Sequence, residues 1–456
     1  MVLAMYLDSS QVETGRTDGT ALLIYISIIG RIDLTTHHHR LTTAHLSTTK
    51  PSTHQHAYQS RTHRPQFRHW RNLRQSRRQL GSQVYTLLSN SQPQSQLIHA
   101  CSAHLPYLLA SPHYEITALC NSSVSSAQAA IKRYNLSPTT KSYGSPDDLA
   151  RDPDVDLVVC SVRVDRHYAL LMPSIKAGKD VFVEWPLASN LAQAQEMHAA
   201  AQKSGSKTIV GLQSRSSPFI RKMKQLLADK TIGEILSSTL TFEMGWPGDV
   251  EPPANDFMTK KESGGSFLSI IVGHTADAVF HALGGLEECS ALLTTRWPET
   301  KLLKADMSFD RIAKRETPDH VMLQGILRNN SAPISMALRH GKTFKDTPGL
   351  VWRVFGTKGE IRLTSATMLN LAMGGEKIEV YDHETDVVET VEVEYDEVVR
   401  DLTPMAKNVG MLYEGFVEGK SVEEGFVDFA QAVDWHRAID QMEKASEGRK
   451  WVKIMG

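Results

Sequence analysis

The chain has 456 residues and a formal net charge of -1, so it is long enough for two or three domains with cores of their own. It carries no chain-wide charge that would draw it to nucleic acid or acidic lipid. Its four cysteines, Cys101, Cys120, Cys160 and Cys289, stand too far apart for a metal motif or a disulfide framework, which predicts a reducing, intracellular setting and no metal site.

The most apolar early run, 21–29, is far shorter than the roughly 20 residues of a membrane span. Acidic Asp8, Glu13 and Asp18 precede it, unlike the basic front of a secretory signal. The expectation is a soluble, cytoplasmic protein without membrane contact. Residues 34–100 contain no Asp or Glu against nine Lys or Arg. The few apolar residues there follow neither helical nor strand period, so burial cannot offset the entropy of ordering. Residues 1–96 therefore read as a basic, low-complexity, disordered extension. Three explanations stay open: an organelle transit peptide with a mitochondrial address, a nucleic-acid-binding arm, or sequence outside the native coding frame. The arm has only Phe67 and Trp70 as stacking platforms, so direct nucleic-acid binding is not expected.

From about residue 97 the pattern becomes regular. "SAHLPYLLAS" predicts a short helix, "YEITALC" (114–120) a strand, "SSAQAAIKRYN" a helix and "SPDDLARDP" a short capped one. "VDLVVCSV" (155–162) is apolar throughout, as a strand buried on both faces would be. The helix "HYALLMPSIKAGK", the strand "DVFVEWP", the helix "NLAQAQEMHAAAQKSG" and the strand "KTIVGLQ" follow. Strands alternating with helices predict a doubly wound parallel sheet over 97–212, which takes ligands at the carboxyl ends of its strands.

Residues 213–456 change rhythm. After the helix "SPFIRKMKQLLADKTIG" come longer alternating strands: "EILSSTLTFEM", "HVMLQGILR", "APISMALRH", "LVWRVFGTKGEIRLTS", "KIEVYD" and "VVETVEVEYD". A helix at "GGSFLSIIVGHTADAVFHALGG" interrupts them, and "FVDFAQAVDWHRAIDQMEKASEG" closes the chain as a helix packing back. The fold class is thus α/β, a Rossmann-type doubly wound sheet followed by an α+β domain with a large, mainly antiparallel sheet. The cleft between them is the expected site.

The order of parts in "SVRVDRHYALLMPSIKAGKDVFVEWPLASNLAQAQEM", continued by "GGSFLSIIVGHTADAVFHALGG" and "FGTKGEIRL", resembles the glucose-fructose oxidoreductase, inositol dehydrogenase and MocA family. The resemblance covers roughly 100–456 and is specific only as a set. It implies a dehydrogenase moving hydride between a nicotinamide cofactor and a sugar, polyol or related alcohol, with a Lys, an Asp and a His sharing the proton work. The histidine is His274. The aspartate position, four residues earlier, is Ile270, and the lysine position inside E-x-P is Trp185 between Glu184 and Pro186. An indole there suits stacking on a nicotinamide or ligand ring rather than acid-base work. "VEWPL", "LQSRSSPFI", "GHTADAV", "TPDHVMLQG" and "FGTKGEIRL" resemble most the galactose-repressor subgroup of yeasts, which implies a regulator that binds a dinucleotide and a protein partner without turnover, with a nuclear address open.

The resemblance places the cofactor, NADP or NAD, against Ser161 and Val162, His167, Glu184 and Pro186, with Asn121 and Ser122 at the ribose. Those two are small and uncharged, and Lys132 and Arg133 lean the choice to NADP; the plainer reading is that this stretch caps the next helix, through Ser122 or Ser123. No glycine lies between Gly81 and Gly144, so "VYTLL" (84–88) can form a first strand but "SNSQPQSQ" cannot form the tight phosphate turn. Further cleft candidates are Arg215, Asp277, Tyr168 and Trp246, with Asp277 read chiefly as a support for His274. His281, Asp319 and His320 read as structural. The sequence favours an oxidoreductase with His274 as its proton handler, a small-molecule substrate and a homodimer, over the dinucleotide-binding regulator.

Overall fold

The computed structural model describes residues 23–28, 103–252, 255–421 and 424–454. The basic stretch 34–100 and the expected strand "VYTLL" lie outside them.

The first sheet contains β1 (Leu23–Ile28), β2 (Tyr114–Cys120), β3 (Lys141–Tyr143), β4 (Leu157–Cys160), β5 (Asp180–Glu184) and β6 (Thr208–Gly211), in the order β3-β2-β1-β4-β5-β6. The neighbours β2–β3, β4–β5 and β5–β6 are parallel, as the alternation with helices predicts. The centre is different. β1 runs antiparallel to both β2 and β4, with Leu23 opposite Cys120 and Cys160 and Ile28 opposite Tyr114. Two interior strands cannot leave their facing amides and carbonyls unpaired. An apolar run from inside the 1–96 extension fills the slot, a departure from the disorder read for that segment as a whole.

The helices obey their local signals. Ser123, Ser145 and Asn190 cap the helices Val124–Arg133, Pro146–Ala150 and Leu191–Ser204 through side-chain acceptors. Two helices from the end of the chain complete this domain, one more than the sequence reading assigned to it. The last, Phe429–Gly448, packs on the helix Leu191–Ser204. The helix Pro404–Val417 covers the other face, where Tyr413 joins Tyr107, Tyr114 and Phe182 in one apolar cluster. A sheet whose inner strands are buried on both sides needs a layer on each.

The second domain holds β7 (Ile235–Glu243), β8 (Val250–Glu251), β9 (Leu286–Thr294), β10 (Glu299–Leu303), β11 (Phe309–Lys314), β12 (His320–Leu327), β13 (Pro333–Arg339), β14 (Leu350–Gly356), β15 (Gly359–Ser365), β16 (Lys377–Asp382), β17 (Val387–Val391) and β18 (Val452–Lys453). Nine of these form a sheet in the order β17-β16-β15-β14-β7-β13-β12-β9-β18, antiparallel except at β13–β7. Burial alternates along β12 and β14, so one face meets the core and the other faces outward. β8, β10 and β11 form a small separate sheet that the sequence reading passed over, because β11 is exposed at nearly every position and carries no apolar alternation. Among the described residues no helix is long and apolar enough to cross a membrane.

Candidate functional site

The two domains meet where the carboxyl ends of β5 and β6 face the helical segment 267–283. Gly264 makes the entry possible. Its φ is +76°, and a Cβ there would lie 2.2 Å from the Cα of Ser189, so only glycine fits both the backbone and the approach. The segment does not start as the uniform α-helix its sequence suggests. Phe267–Val272 is a π-helix and Gly273–Leu283 an α-helix. The Gly273 amide donates to the carbonyls of Leu268 and Ile270 and passes over Ser269. The skipped Ser269 carbonyl accepts the indole N–H of Trp185 at 2.7 Å.

Trp185 is therefore not an open stacking surface. It is 1% exposed, it lies against Gly273, and its ring centroid is 4.9 Å from that of His436. The correction has a simple cause: the π-helical turn leaves a part-buried carbonyl without the Gly273 amide, and the indole N–H supplies a donor. The Trp185–Pro186 peptide is cis. His274 follows Gly273 and is buried. Ile270, at the family's aspartate position, is half-buried and brings no charge.

Glu184 is also committed. Its carboxylate lies 2.7 Å from His104 Nε2, while His104 Nδ1 lies 2.8 Å from the Tyr413 hydroxyl. All three residues are buried. Sequence reasoning missed His104 and Tyr413, which are 309 positions apart; a histidine at the head of the first helix was the only available signal. His167 is buried between the carbonyls of Val162 and Pro186, 3.0 and 2.9 Å from its ring nitrogens. Burial pushes its pKa down. Its role is to tie the turn after β4 to the turn after β5, which corrects its assignment to the cofactor.

Arg215 and Asp277 form a two-pronged ion pair, Nε to Oδ2 at 2.8 Å and Nη2 to Oδ1 at 2.5 Å, and Arg215 Nη1 donates to Gln431 at 2.9 Å. This network pins the turn after β6 to the interdomain helix and to the last helix. The support Asp277 gives is to Arg215, where the sequence reading makes it a support for His274. His281, one turn on, accepts from Lys224 at 3.3 Å, and burial together with the charges of Arg215 and Lys224 pushes it down to about 3.

Other candidates fall elsewhere. The Tyr168 hydroxyl donates to Glu196 at 2.6 Å, which raises its pKa and commits it to a helix–helix contact. Trp246 donates to the Val250 carbonyl at 3.0 Å and packs on the second domain's core. Asp319 is buried and accepts from the amides of Arg296 and Trp297 and from His320, a structural use as expected.

The fold implies a nicotinamide dinucleotide, and the residues fit it in part. Ser161 and Val162 lie at the carboxyl end of β4, and Asn121 and Ser122 at that of β2, with no acidic side chain among them. Ser123 caps the next helix. Lys132 and Arg133 occupy that helix's last turn, about 15 Å from its start, so they serve the helix dipole and cannot select a ribose phosphate. The pyrophosphate position does not fit the family pattern. The carboxyl end of β1 lies beside the amino end of β2, and no glycine lies between Gly81 and Gly144.

Comparisons with known proteins agree with this arrangement. Residues 98–212 match the profile of the oxidoreductase family, NAD-binding Rossmann fold, and residues 218–365 that of Gal80p, C-terminal domain. The dehydrogenase aclE of Aspergillus oryzae is 34% identical over 268 residues, 56% of this chain and 69% of that protein. The galactose/lactose metabolism regulatory protein of Saccharomyces cerevisiae is 31% identical over 277 residues, 58% of this chain and 63% of that protein. A crystal structure of a super-repressor mutant of the S. cerevisiae Gal80p superposes with a TM-score of 0.70 at 25% identity, covering 78% of this chain and 94% of that one. Levoglucosan dehydrogenase in complex with NADH and levoglucosan shares the fold, with a TM-score of 0.62 at 19% identity over 75% of this chain and 90% of that one. The chain belongs to the oxidoreductase family with an NAD-binding Rossmann fold, the glucose-fructose oxidoreductase, inositol dehydrogenase and MocA family, and carries a second domain of the Gal80p type.

Proposed function

We propose that the chain is an NAD(P)-linked oxidoreductase for a small alcohol or carbonyl compound of the sugar or polyol kind. His274 carries the reading. It keeps the family's histidine position, on the interdomain helix and beside the carboxyl end of β5, where it can take or return the proton of a substrate hydroxyl. The similarity to a dehydrogenase across both domains supports the same class. Asn121 and Ser122 accommodate either NAD or NADP. A homodimer through the outward face of the nine-stranded sheet belongs to this reading.

A second reading is a dinucleotide-binding regulator with a protein partner. Trp185 and Ile270 favour it, because both positions lack a proton carrier and Trp185 is bonded to Ser269. Loss of such groups typically costs about 10² to 10⁴ in rate.

The experiment is a fluorescence titration of the full chain with NADH and NADPH, followed by single-turnover assays on a panel of sugars, polyols and their carbonyl forms. Turnover that disappears in His274→Ala supports the enzyme. Tight nucleotide binding without turnover on any member of the panel overturns it in favour of the regulator.

A further inference from the structure

Behind the interdomain helix, on the side of Asp277 and His281, lies a cavity of about 400 Å³, and a second of about 250 Å³ adjoins it and shares Arg215, Lys224 and His281. This is within the size range of small-molecule sites. Its apolar wall includes Phe280 and Trp435, both facing the larger space.

The charges around it do not balance. In the larger cavity Arg215 is neutralised by Asp277 and Asp434 is paired with Arg437; in the smaller one Arg221 is paired with Asp396, and Glu424, held by the Ser421 hydroxyl, has no cationic partner among the described residues. Lys224 and Arg328 have no carboxylate partner among the described residues, and both line the larger cavity. Lys224 is positioned by the imidazole of His281, which is uncharged at neutral pH and can accept from the ammonium at Nε2. The Arg328 guanidinium is 3.4 Å from the carbonyl of Leu286, which also lines the larger cavity. Two positive charges therefore flank one partly apolar space.

We propose that this cavity binds a small phosphate monoester, its dianion held by Lys224 and Arg328 with Arg215 beside them and its carbon body against Phe280 and Trp435. A phosphate monoester carries about -1.5 to -2 charges at neutral pH, which matches the two uncancelled cations, whereas a monocarboxylate would leave one of them unmet. Guanidinium and ammonium groups both form short, charge-assisted hydrogen bonds to phosphate oxygens. The site is separate from the proton-handling position of His274, and its occupancy does not depend on turnover.

The test is titration calorimetry of the full chain with glucose 6-phosphate and with inorganic phosphate, against glucose and sodium chloride at matched ionic strength. Saturable binding of glucose 6-phosphate is expected. It should weaken roughly tenfold or more in Lys224→Met and in Arg328→Met, recover in Lys224→Arg, and stay unchanged in Lys230→Met. Both rim residues are exposed, so thermal midpoints should match the parent and show that the variants fold. Inorganic phosphate binding as tightly as the ester would overturn the role of the apolar wall. Absence of saturable binding by either probe, or binding that survives in the double variant Lys224→Met/Arg328→Met, would overturn the site.

Discussion

The indole N–H of Trp185 donates to the Ser269 carbonyl at 2.7 Å, across 84 positions of sequence and between the two domains. The bond exists because the π-helical turn withholds the Gly273 amide from that carbonyl. Trp185→Phe would keep an aromatic ring but remove the donor, leaving the part-buried carbonyl without a partner at a cost of about 1–3 kcal/mol, to which the smaller ring adds the cost of a void. Trp185→Lys, which writes the family's residue back, should destabilise further, because an ammonium replaces a ring that is 1% exposed. Urea denaturation measures both. A lysine variant as stable as the parent would contradict the packing described for this position.

Gly273→Ala tests the same contact from the other side. In an unconstrained helix this change stabilises by about 1 kcal/mol. Here the added Cβ would lie 2.5 Å from Trp185 Nε1, and the indole is held by its bond to Ser269. The expected sign is therefore reversed, with a loss of about 1–3 kcal/mol typical of overpacking. Thermal denaturation gives the sign directly.

Arg215→Met removes both hydrogen bonds to the buried Asp277 carboxylate. Breaking a buried pair on one side typically costs about 3–5 kcal/mol, while replacing both partners with apolar groups costs much less. The double variant Arg215→Met/Asp277→Leu should accordingly be more stable than Arg215→Met alone. Equilibrium denaturation of the three proteins decides it.

His340 sets a pH dependence. It is buried, packs on Phe267 with ring centroids 4.7 Å apart, and neither ring nitrogen has a hydrogen-bond partner among the described residues. Burial, with the charge of Arg315, pushes its pKa from 6.5 down to about 3. Above 6.5 both folded and unfolded chains hold it neutral, so it contributes no slope. Below 6.5 the unfolded chain takes a proton that the native chain refuses, and stability falls as pH falls, by about 1.4 kcal/mol per unit, until the folded value is reached. His281 and His436, pushed down to about 3 and about 4, act in the same direction. His340→Leu should flatten the acid limb of denaturation midpoints measured between about pH 4.5 and 7.5. An unchanged limb would mean that this histidine is protonated in the native state.

Much of this arrangement was legible in one dimension. The strands "YEITALC" and "VDLVVCSV", the caps at Ser123 and Ser145, and the change of rhythm after residue 212 follow from apolar period and capping chemistry, which act over a few residues. The resemblance carried by "VFVEWPLASN" and "GHTADAV" placed Glu184, Trp185 and His274 at the domain junction.

The partners were not legible. His104 meets Glu184 and Tyr413, Trp185 meets Ser269 and His436, and Arg215 meets Asp277 and Gln431, all at separations that no local pattern encodes. The orientation of β1 was hidden for the same reason, since an apolar hexapeptide pairs equally well in either direction until its neighbours' edges are in place. The sequence by itself determined the two-domain plan and the position of the single family histidine, because periodicity and spacing are local. Only the tertiary structure decided that Trp185 closes a π-helix instead of facing a ligand, because that depends on which part-buried carbonyl is left without a hydrogen-bond donor once the domains pack.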